Sequence, residues 1–257
     1  MKLRTWSNGF PLYICAAVAF SIVCSNGTAQ AQEPDDDWHF ASSFGIWAMA
    51  AKGNVGVRNV ESDVDATFSD ILDKAQVALN PGLQLSKGDW SIALTGMYAV
   101  LEDEQTFRNG RGGVITSTMG IADLSLGYTL LRTKLGEMPL AITPMIGVRY
   151  TYLGLDLNPN NSDTVSRNRE WFDPYFGGRV VLGLTDALDW RTEGTYGGFS
   201  VGSDSTWSAG TYLDWKFYKN VSLNVGYRAL SWDYDNDNLK WDITFHGPWI
   251  GLTTSWF

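Results

Sequence analysis

Apolar and polar residues alternate with a period of two along most of this chain. Between Trp207 and Phe217, the odd positions are mostly apolar and the even positions are mostly polar or small. The same alternation recurs over residues 124–130, 142–152 and 221–229. A period of two is the spacing of side chains on one face of a β-strand, so the sequence predicts an all-β protein.

The two faces of these strands distinguish a membrane barrel from a soluble sandwich. The polar face is rich in glycine and small residues with interspersed charges, whereas the apolar face ends in tryptophan and tyrosine. This arrangement is typical of a transmembrane barrel, which has lipid outside, a polar interior and aromatic residues at both interfaces. We therefore predict a transmembrane antiparallel up-and-down β-barrel rather than a soluble β-sandwich.

The first 31 residues have the pattern of a secretory signal peptide. Lys2 and Arg4 precede an apolar stretch of about 13 residues, and Ala29-Gln30-Ala31 is a small-x-small cleavage site. We predict a signal peptide over residues 1–31 and a barrel domain over residues 32–257. The protein would then be exported through the periplasm to the outer membrane of a Gram-negative bacterium.

Charge and cysteine content agree with this location. The whole chain has a net charge of −9, and cleavage would leave 17 basic and 28 acidic residues, a net charge of −11. An acidic protein lacks the basic face that a nucleic-acid partner requires. Both cysteines, Cys15 and Cys24, fall in the predicted signal peptide, so the mature chain would contain no disulfide.

We predict ten strands, with eight and twelve as alternatives. The predicted strands cover residues 38–51, 75–86, 89–104, 113–132, 138–156, 168–184, 187–200, 204–218, 221–234 and 238–257. The connections alternate between short turns, assigned to the periplasmic side, and longer segments, assigned to the extracellular side. These extracellular segments are residues 52–74, 105–112, 157–167 and 233–238.

The last strand requires an irregularity under this interpretation. Its apolar residues occupy odd positions over 241–245 and even positions over 250–256, so we predict a bulge at Gly247-Pro248. The chain ends in Trp256-Phe257, and a C-terminal aromatic residue resembles the signal that the outer-membrane assembly machinery reads. We therefore expect that machinery to be a partner of the C-terminal strand.

Several motifs resemble an uncharacterised family of Gram-negative outer-membrane β-barrel proteins. The segments that carry the resemblance are Trp171-Phe172-Asp173-Pro174, Gly178-Arg179, Gly197-Gly198-Phe199, Gly226-Tyr227-Arg228, Gly247-Pro248 and Phe68-Ser69-Asp70-Ile71-Leu72. The resemblance implies a barrel in the outer membrane. It implies no reaction.

Charged residues collect on the faces that should line the lumen. They are Asp123, Arg149, Asp173, Arg179, Asp189, Arg191, Glu193, Asp214, Lys216, Arg228 and Asp242. Unpaired charges in a narrow barrel are costly, so we expect a network of ion pairs across the lumen. Such a network suits a structural plug better than a polar conduit for a small solute.

Catalytic and cofactor-binding patterns are weak. Beyond the signal peptide, the histidines are His39 and His246. His39 lies at the periplasmic start of the first strand, the wrong end for surface chemistry. Asp242 lies about 13 Å from His246 along its strand, too far for a dyad, although an acid on another strand could meet His246. No cysteine or histidine cluster has zinc spacing, and no phosphate-binding loop occurs. We therefore expect no enzymatic activity, no cofactor and no metal.

Two acidic stretches invite a calcium interpretation. Asp233, Asp235 and Asp237 alternate as in calcium loops, and Asp63 and Asp65 form a shorter group, but neither stretch completes the pattern. Solvated loop tips are the favoured interpretation, and a cation bridging these loops to lipopolysaccharide is the alternative.

Residues 63–74 break the period of two. Phe68, Ile71 and Leu72 share one side of a helical turn, and Thr67 or Ser69 can cap its start. We predict a short helix in an extracellular loop, with these three side chains forming a candidate lid against the upper barrel wall. The alternative is a helix lying on the membrane surface.

Taken together, these patterns favour a structural role in the envelope, or limited passage of small solutes through a charge-lined, largely plugged lumen. The alternatives are an outer-membrane enzyme acting on lipid A or peptides, and a surface adhesin. The expected partners are outer-membrane lipid and lipopolysaccharide. The sequence does not indicate an oligomeric state.

Overall fold

A computed structural model describes residues 36–57, 60–106, 112–159, 165–236 and 239–256 of the chain. The predicted signal peptide, residues 1–31, lies outside these described residues, as does Phe257. The cleavage site and the C-terminal aromatic signal therefore stay predictions.

The described residues form thirteen strands and one short helix. In chain order the elements are β1 (Trp38–Trp47), β2 (Ala50–Val57), β3 (Val60–Ala66), α1 (Phe68–Lys74), β4 (Ala75–Lys87), β5 (Trp90–Thr106), β6 (Gly112–Tyr128), β7 (Leu131–Leu135), β8 (Met138–Pro159), β9 (Val165–Thr185), β10 (Leu188–Gly198), β11 (Ser205–Tyr218), β12 (Val221–Asn236) and β13 (Leu239–Ser255).

Ten of these strands close into an antiparallel barrel. Their order around the wall is β1, β4, β5, β6, β8, β9, β10, β11, β12 and β13, and the pairing of β1 with β13 completes the ring. The prediction of a ten-stranded antiparallel barrel is therefore confirmed. Closure satisfies the backbone groups of both edge strands, which is what a strand-built membrane protein requires.

The three further strands lie beside this ring. β7 pairs with β8, from Leu131 opposite Ile142 to Leu135 opposite Met138. β2 pairs with β13, continuing the line of β1, and β3 folds back along β2. The segment predicted as an extracellular connection, residues 52–74, thus contains β3 and most of β2, and the short helix predicted within it is present as α1.

The two ends of the barrel differ. The terminal end, where β1 begins and β13 ends, also carries the tight turns at residues 88–89, 136–137, 186–187 and 219–220. At the opposite end, called the far end here, β5, β8 and β12 end, β6, β9 and β13 begin, and residues 199–204 connect β10 to β11. Tight turns at the end where the first strand begins and the last strand ends are typical of outer-membrane barrels.

Large apolar side chains cover the outer wall. Leu124 on β6, Trp215 on β11 and Ile250 on β13 are all exposed there, and the rings of Trp90 and Tyr128 meet edge-on near the terminal end. Lipid would cover this surface, which explains why so much apolar area faces outward. No helix among the described residues is long and apolar enough to cross a membrane.

The strand β13 has no bulge at Gly247-Pro248. Its register with β12 runs without a shift from Thr254 opposite Val221 to Leu239 opposite Asn236. Ile243 and Phe245 point inward, at 1% and 7% exposed, whereas Ile250 and Leu252 point outward, at 50% and 49% exposed. The apolar residues change face because the interior itself changes from polar to apolar along the barrel.

The far half of the lumen is filled by an apolar cluster, which we call the apolar layer. Its members are the buried residues Trp47, Met49, Ala51, Ile71, Met97, Ala99, Met119, Ile121, Trp171, Leu230, Trp232, Tyr234, Ile243 and Phe245. They come from strands on opposite sides of the barrel and from α1, so the layer crosses the lumen from wall to wall.

Candidate functional site in the lumen

The terminal half of the lumen holds a polar cavity of about 380 Å³, called the lumen chamber here. Inward-facing side chains of all ten barrel strands line it, and it reaches the turns Gly88-Asp89 and Lys219-Asn220 at the terminal end. Its other end lies beneath the apolar layer. The alternation of the strands directs these polar residues inward while their neighbours face lipid.

Arg149 on β8 and Asp123 on β6 form the deepest ion pair. The Arg149 Nε donates to Asp123 Oδ1 at 2.7 Å, and the two side chains are 2% and 12% exposed. The guanidinium also donates to Thr206 Oγ1 at 2.8 Å. Its carbon lies 5.8 Å from the ring centroid of Trp232, so this pair sits directly against the apolar layer.

Arg191 on β10 joins two carboxylates. Its Nε and Nη2 donate to the two oxygens of Asp214 at 2.7 and 3.3 Å, and its Nη1 lies 3.3 Å from Glu193 Oε2. The guanidinium also lies over the ring of Tyr212, 4.2 Å from the centroid. A bidentate contact with aromatic stacking fixes the orientation of the planar group.

Two further ion pairs complete the network predicted from the sequence. Arg179 Nε donates to Glu193 Oε2 at 3.0 Å, and Lys216 Nζ lies 3.1 Å from Asp189 Oδ2. Arg179 also donates to the side-chain oxygen of Gln84 at 3.3 Å. The chamber wall is therefore cross-linked between neighbouring strands by charge-assisted hydrogen bonds.

Arg228 on β12 is held differently. Its guanidinium carbon lies 4.8 Å from the ring centroid of Trp47 and 6.0 Å from that of Trp249. Among the described residues, no carboxylate oxygen lies within ion-pair distance of it. Aromatic faces hold this cation in place without neutralising its charge.

Two of the predicted network residues do not belong to it. Asp173 is fully buried and accepts hydrogen bonds from Ser203 N at 2.7 Å, Ser203 Oγ at 2.9 Å and Trp171 Nε1 at 2.9 Å, and no arginine of the described residues donates to it. Asp242 is exposed, because even positions of β13 face outward, and it lies opposite Asp233. The predicted ion pairing of both residues is wrong.

Some residues that line the chamber were not predicted from the sequence. Asp89 at the mouth pairs with Arg132 at 3.0 Å, and Asn80 and Trp249 line the wall. The alternation of β4 would have placed Asn80 inward. Trp249 was assigned no role because the predicted bulge obscured the phase of β13.

The helix α1 places the three candidate lid residues in different surroundings. Ile71 is buried in the apolar layer, whereas Phe68 and Leu72 are 39% and 56% exposed. Thr67 is the N-cap, and its side chain and Asp70 form a capping box. The expectation that all three apolar side chains pack against the barrel is therefore wrong for Phe68 and Leu72.

The two histidines lie on different faces of the barrel wall. His246 Nδ1 lies 2.7 Å from the Tyr227 hydroxyl on the outer wall, and His39 lines the chamber near its mouth. Among the described residues, no group of three or more histidine, cysteine or acidic side chains is placed to hold a metal ion. Asp233 and Asp235 are exposed, and Asp237 lies outside the described residues.

Comparison with solved structures places this fold among outer-membrane barrels. The outer membrane protease OmpT from Escherichia coli matches with a TM-score of 0.50 and 9% identity, over 88% of this chain and 99% of that chain. The toluene transporter TodX of Pseudomonas putida matches with a TM-score of 0.30 and 8% identity, over 90% of this chain and 92% of that chain. No family model and no curated protein matches the sequence.

The match to OmpT corrects one expectation. From the sequence we expected no enzymatic activity, but a barrel that corresponds to this one over nearly its whole length is a protease. The expectation of no enzymatic activity, which rested on a plugged lumen and few histidines, is therefore wrong. At 9% identity the likeness shows the fold, and fold does not by itself assign a reaction.

Proposed function

We propose that this protein is an outer-membrane barrel with a closed lumen, whose role is structural support of the cell envelope. The apolar layer is the observation that carries the proposal. Leu230, Trp232 and Ile243 in this layer are 0%, 0% and 1% exposed, so water does not reach these side chains. Passage of small polar solutes through such a layer would be limited at most.

Aromatic contacts within the apolar layer support the closure. The rings of Trp171 on β9 and Tyr234 on β12 stack although two strands separate them in the wall. The rings of Trp232 and Phe245, on the neighbouring strands β12 and β13, meet edge-on at 6.2 Å. Ile71 adds the helix α1 to the same layer. Because protein interiors of this kind are close-packed, an ion or solute would have to displace several large side chains at once.

The ion-pair network supports a structural role for the other half of the lumen. Each carboxylate in the network has at least one cationic partner, and Arg191 and Glu193 each contact two partners. Paired charges stiffen the wall between strands and present little free charge to a passing ion.

The barrel ends suggest an orientation in the membrane. The tight turns, the start of β1 and the end of β13 lie at one end of the barrel. This end would face the periplasm, so the lumen chamber would open there. The far end and α1 would face outward, next to lipopolysaccharide. Insertion would use the outer-membrane assembly machinery, through the C-terminal strand.

Single-cysteine labelling in cells tests both the closure and the orientation. The barrel domain contains no native cysteine, so Ser222→Cys in the chamber wall and Asp235→Cys at the far end would each give one reactive site. A membrane-impermeant maleimide should label Asp235→Cys in intact cells. It should label Ser222→Cys only after the outer membrane is permeabilised.

Equal labelling of Ser222→Cys in intact and permeabilised cells would contradict the closed lumen. Labelling of Asp235→Cys only in permeabilised cells, with Ser222→Cys accessible from outside, would reverse the orientation. Heat-modifiable mobility of both variants on gels serves as the control for correct folding.

A further inference from the structure

The lumen chamber has a charge opposite to that of the protein. The chain as a whole carries a net charge of −9. Among the described residues, seven basic and five acidic side chains line the chamber. A positively charged cavity within an acidic protein favours an anion over a cation or a neutral solute.

The ion pairs consume all five carboxylates and leave two cations over. Asp89, Asp123, Asp189, Glu193 and Asp214 each contact an arginine or lysine of the chamber. In the described part of the chain, Arg228 and Lys219 have no carboxylate within ion-pair distance. Lys219 is exposed on the turn at the mouth, whereas Arg228 lies deep in the chamber.

Glu193 interacts electrostatically with Arg228 from beyond ion-pair distance, and the surroundings of Arg228 leave its N–H donors available to a ligand. Trp47 and Trp249 lie against the guanidinium, and an arginine over aromatic rings keeps its donors free in the plane of the group. The five N–H donors match the geometry of a carboxylate or phosphate group. Arg228 is therefore the cation in the chamber that is best placed to bind an oxyanion.

A second polar group in the same wall lacks a partner. Asn80 is 6% exposed and lines the chamber, and its Oδ1 accepts no hydrogen bond from any described residue. Asn80 lies opposite Gly45, and a Cβ atom at Gly45 would overlap the indole ring of Trp249. Trp249 therefore lies between the Asn80 region and Arg228, and the three form one polar-aromatic face.

We propose that the lumen chamber binds a small organic oxyanion, a carboxylate or a phosphate, with its charge on Arg228 and its apolar part against Trp249. The ligand enters from the terminal end. The volume of about 380 Å³ lies at the lower end of the range for small-molecule sites. This inference rests on the proposed function at one point, since the inner end of the chamber is closed only if the lumen is closed.

Calorimetric titration of the purified barrel in detergent tests this binding. The probes are benzoate, inorganic phosphate and, as a neutral match to benzoate, benzyl alcohol. We expect benzoate to bind and benzyl alcohol not to bind. Binding of phosphate without binding of benzoate would overturn the contact with Trp249 and leave a site for free phosphate, whereas tighter binding of benzoate would support an organic acid with an aromatic part.

Arg228→Gln should weaken oxyanion binding at least tenfold, and Arg228→Lys should weaken it less. Lys87→Gln is the matched control, because Lys87 lies outside the chamber, over the ring of Trp38 on the outer wall. If Arg228→Gln does not fold, Ser222→Asp adds a carboxylate to the chamber wall and should weaken binding through repulsion. Equal affinities in these variants and the wild type would overturn the proposal.

Absence of binding by both benzoate and phosphate in the wild type would also overturn it. These outcomes are separable from failure of the closed barrel. Labelling of Ser222→Cys from both sides contradicts closure but leaves Arg228-dependent binding intact, whereas loss of binding with one-sided labelling contradicts the anion site alone.

Discussion

The indole ring of Trp171 on β9 stacks on the phenol ring of Tyr234 on β12, with 4.3 Å between the ring centroids. Because β10 and β11 separate these strands in the wall, the contact spans the lumen instead of following the sheet. Trp171 also donates its Nε1 proton to Asp173, which Ser203 holds through two further hydrogen bonds. One aromatic contact thus joins two strands that are not neighbours in the wall, and a buried polar group fixes its orientation.

Loss of Asp123 should destabilise the barrel strongly. Asp123→Asn removes the carboxylate from a buried pair and leaves the Arg149 guanidinium, 2% exposed, without a counter-charge. Breaking such a pair costs about 3–5 kcal/mol. Urea-induced unfolding of the variant in detergent micelles, followed by circular dichroism, measures this loss.

Asp89→Asn is the control for that measurement. Its ion pair with Arg132 lies at the mouth, with side chains 31% and 21% exposed, and solvent screening should hold the loss to about 1 kcal/mol or less. Similar losses in the two variants would show that burial of the Arg149 pair has no special role.

Ile71 should be the residue of α1 that contributes most to the stability of the far half of the barrel. Ile71→Asp places a charge in the apolar layer, where burial without a partner is costly, and should lower stability by more than about 2 kcal/mol. Phe68→Asp and Leu72→Asp alter exposed side chains and should stay within about 0.5 kcal/mol of the wild type. The midpoint of heat modifiability on gels ranks the three variants, and an equal effect of all three would refute this assignment.

The helix α1 should loosen in acid. Hydrogen bonds from the Thr67 side chain and backbone lower the pKa of Asp70 below its ordinary value of 3.8. A carboxyl whose pKa is lowered by folding stabilises the helix above its unfolded pKa, and that contribution disappears as the pH falls through the folded pKa. Amide chemical shifts of α1 in micelles should therefore change below about pH 3.8.

Asp70→Asn should remove this acid transition, because the amide does not titrate in that range. Persistence of the same transition in Asp70→Asn would assign it to another carboxyl, such as Asp103, which pairs with Lys74 at 2.9 Å.

The strands were predictable because alternation has a single period and lipid imposes it on the outer face. Odd positions of β10 carry Asp189, Arg191 and Glu193 inward, as the sequence pattern indicated. The same rule could not name partners, since residues from distant strands meet only after closure. Asp173 is the clearest example, because its partner Ser203 lies in an irregular segment with no alternation.

The far half was harder to predict because its interior is apolar. The alternation predicts polar residues inside, yet Ile243 and Phe245 point into the lumen and Asp242 points out. A sequence pattern shows that the apolar face changes, but not whether the strand bulges or the lumen changes polarity. The segment of β2 and β3 was missed for a related reason, because β2 is rich in small residues and β3 in acidic ones.

Single-channel recording in planar lipid bilayers tests the closed lumen most directly. The purified wild-type protein is inserted at a density verified by labelling. In about 1 M salt it should give no stable conductance steps as large as those of open porins. Replacement of Trp232 and Leu230 by glycine should open the layer and produce steps. Stable, porin-like conductance from the wild-type barrel would contradict the closed lumen.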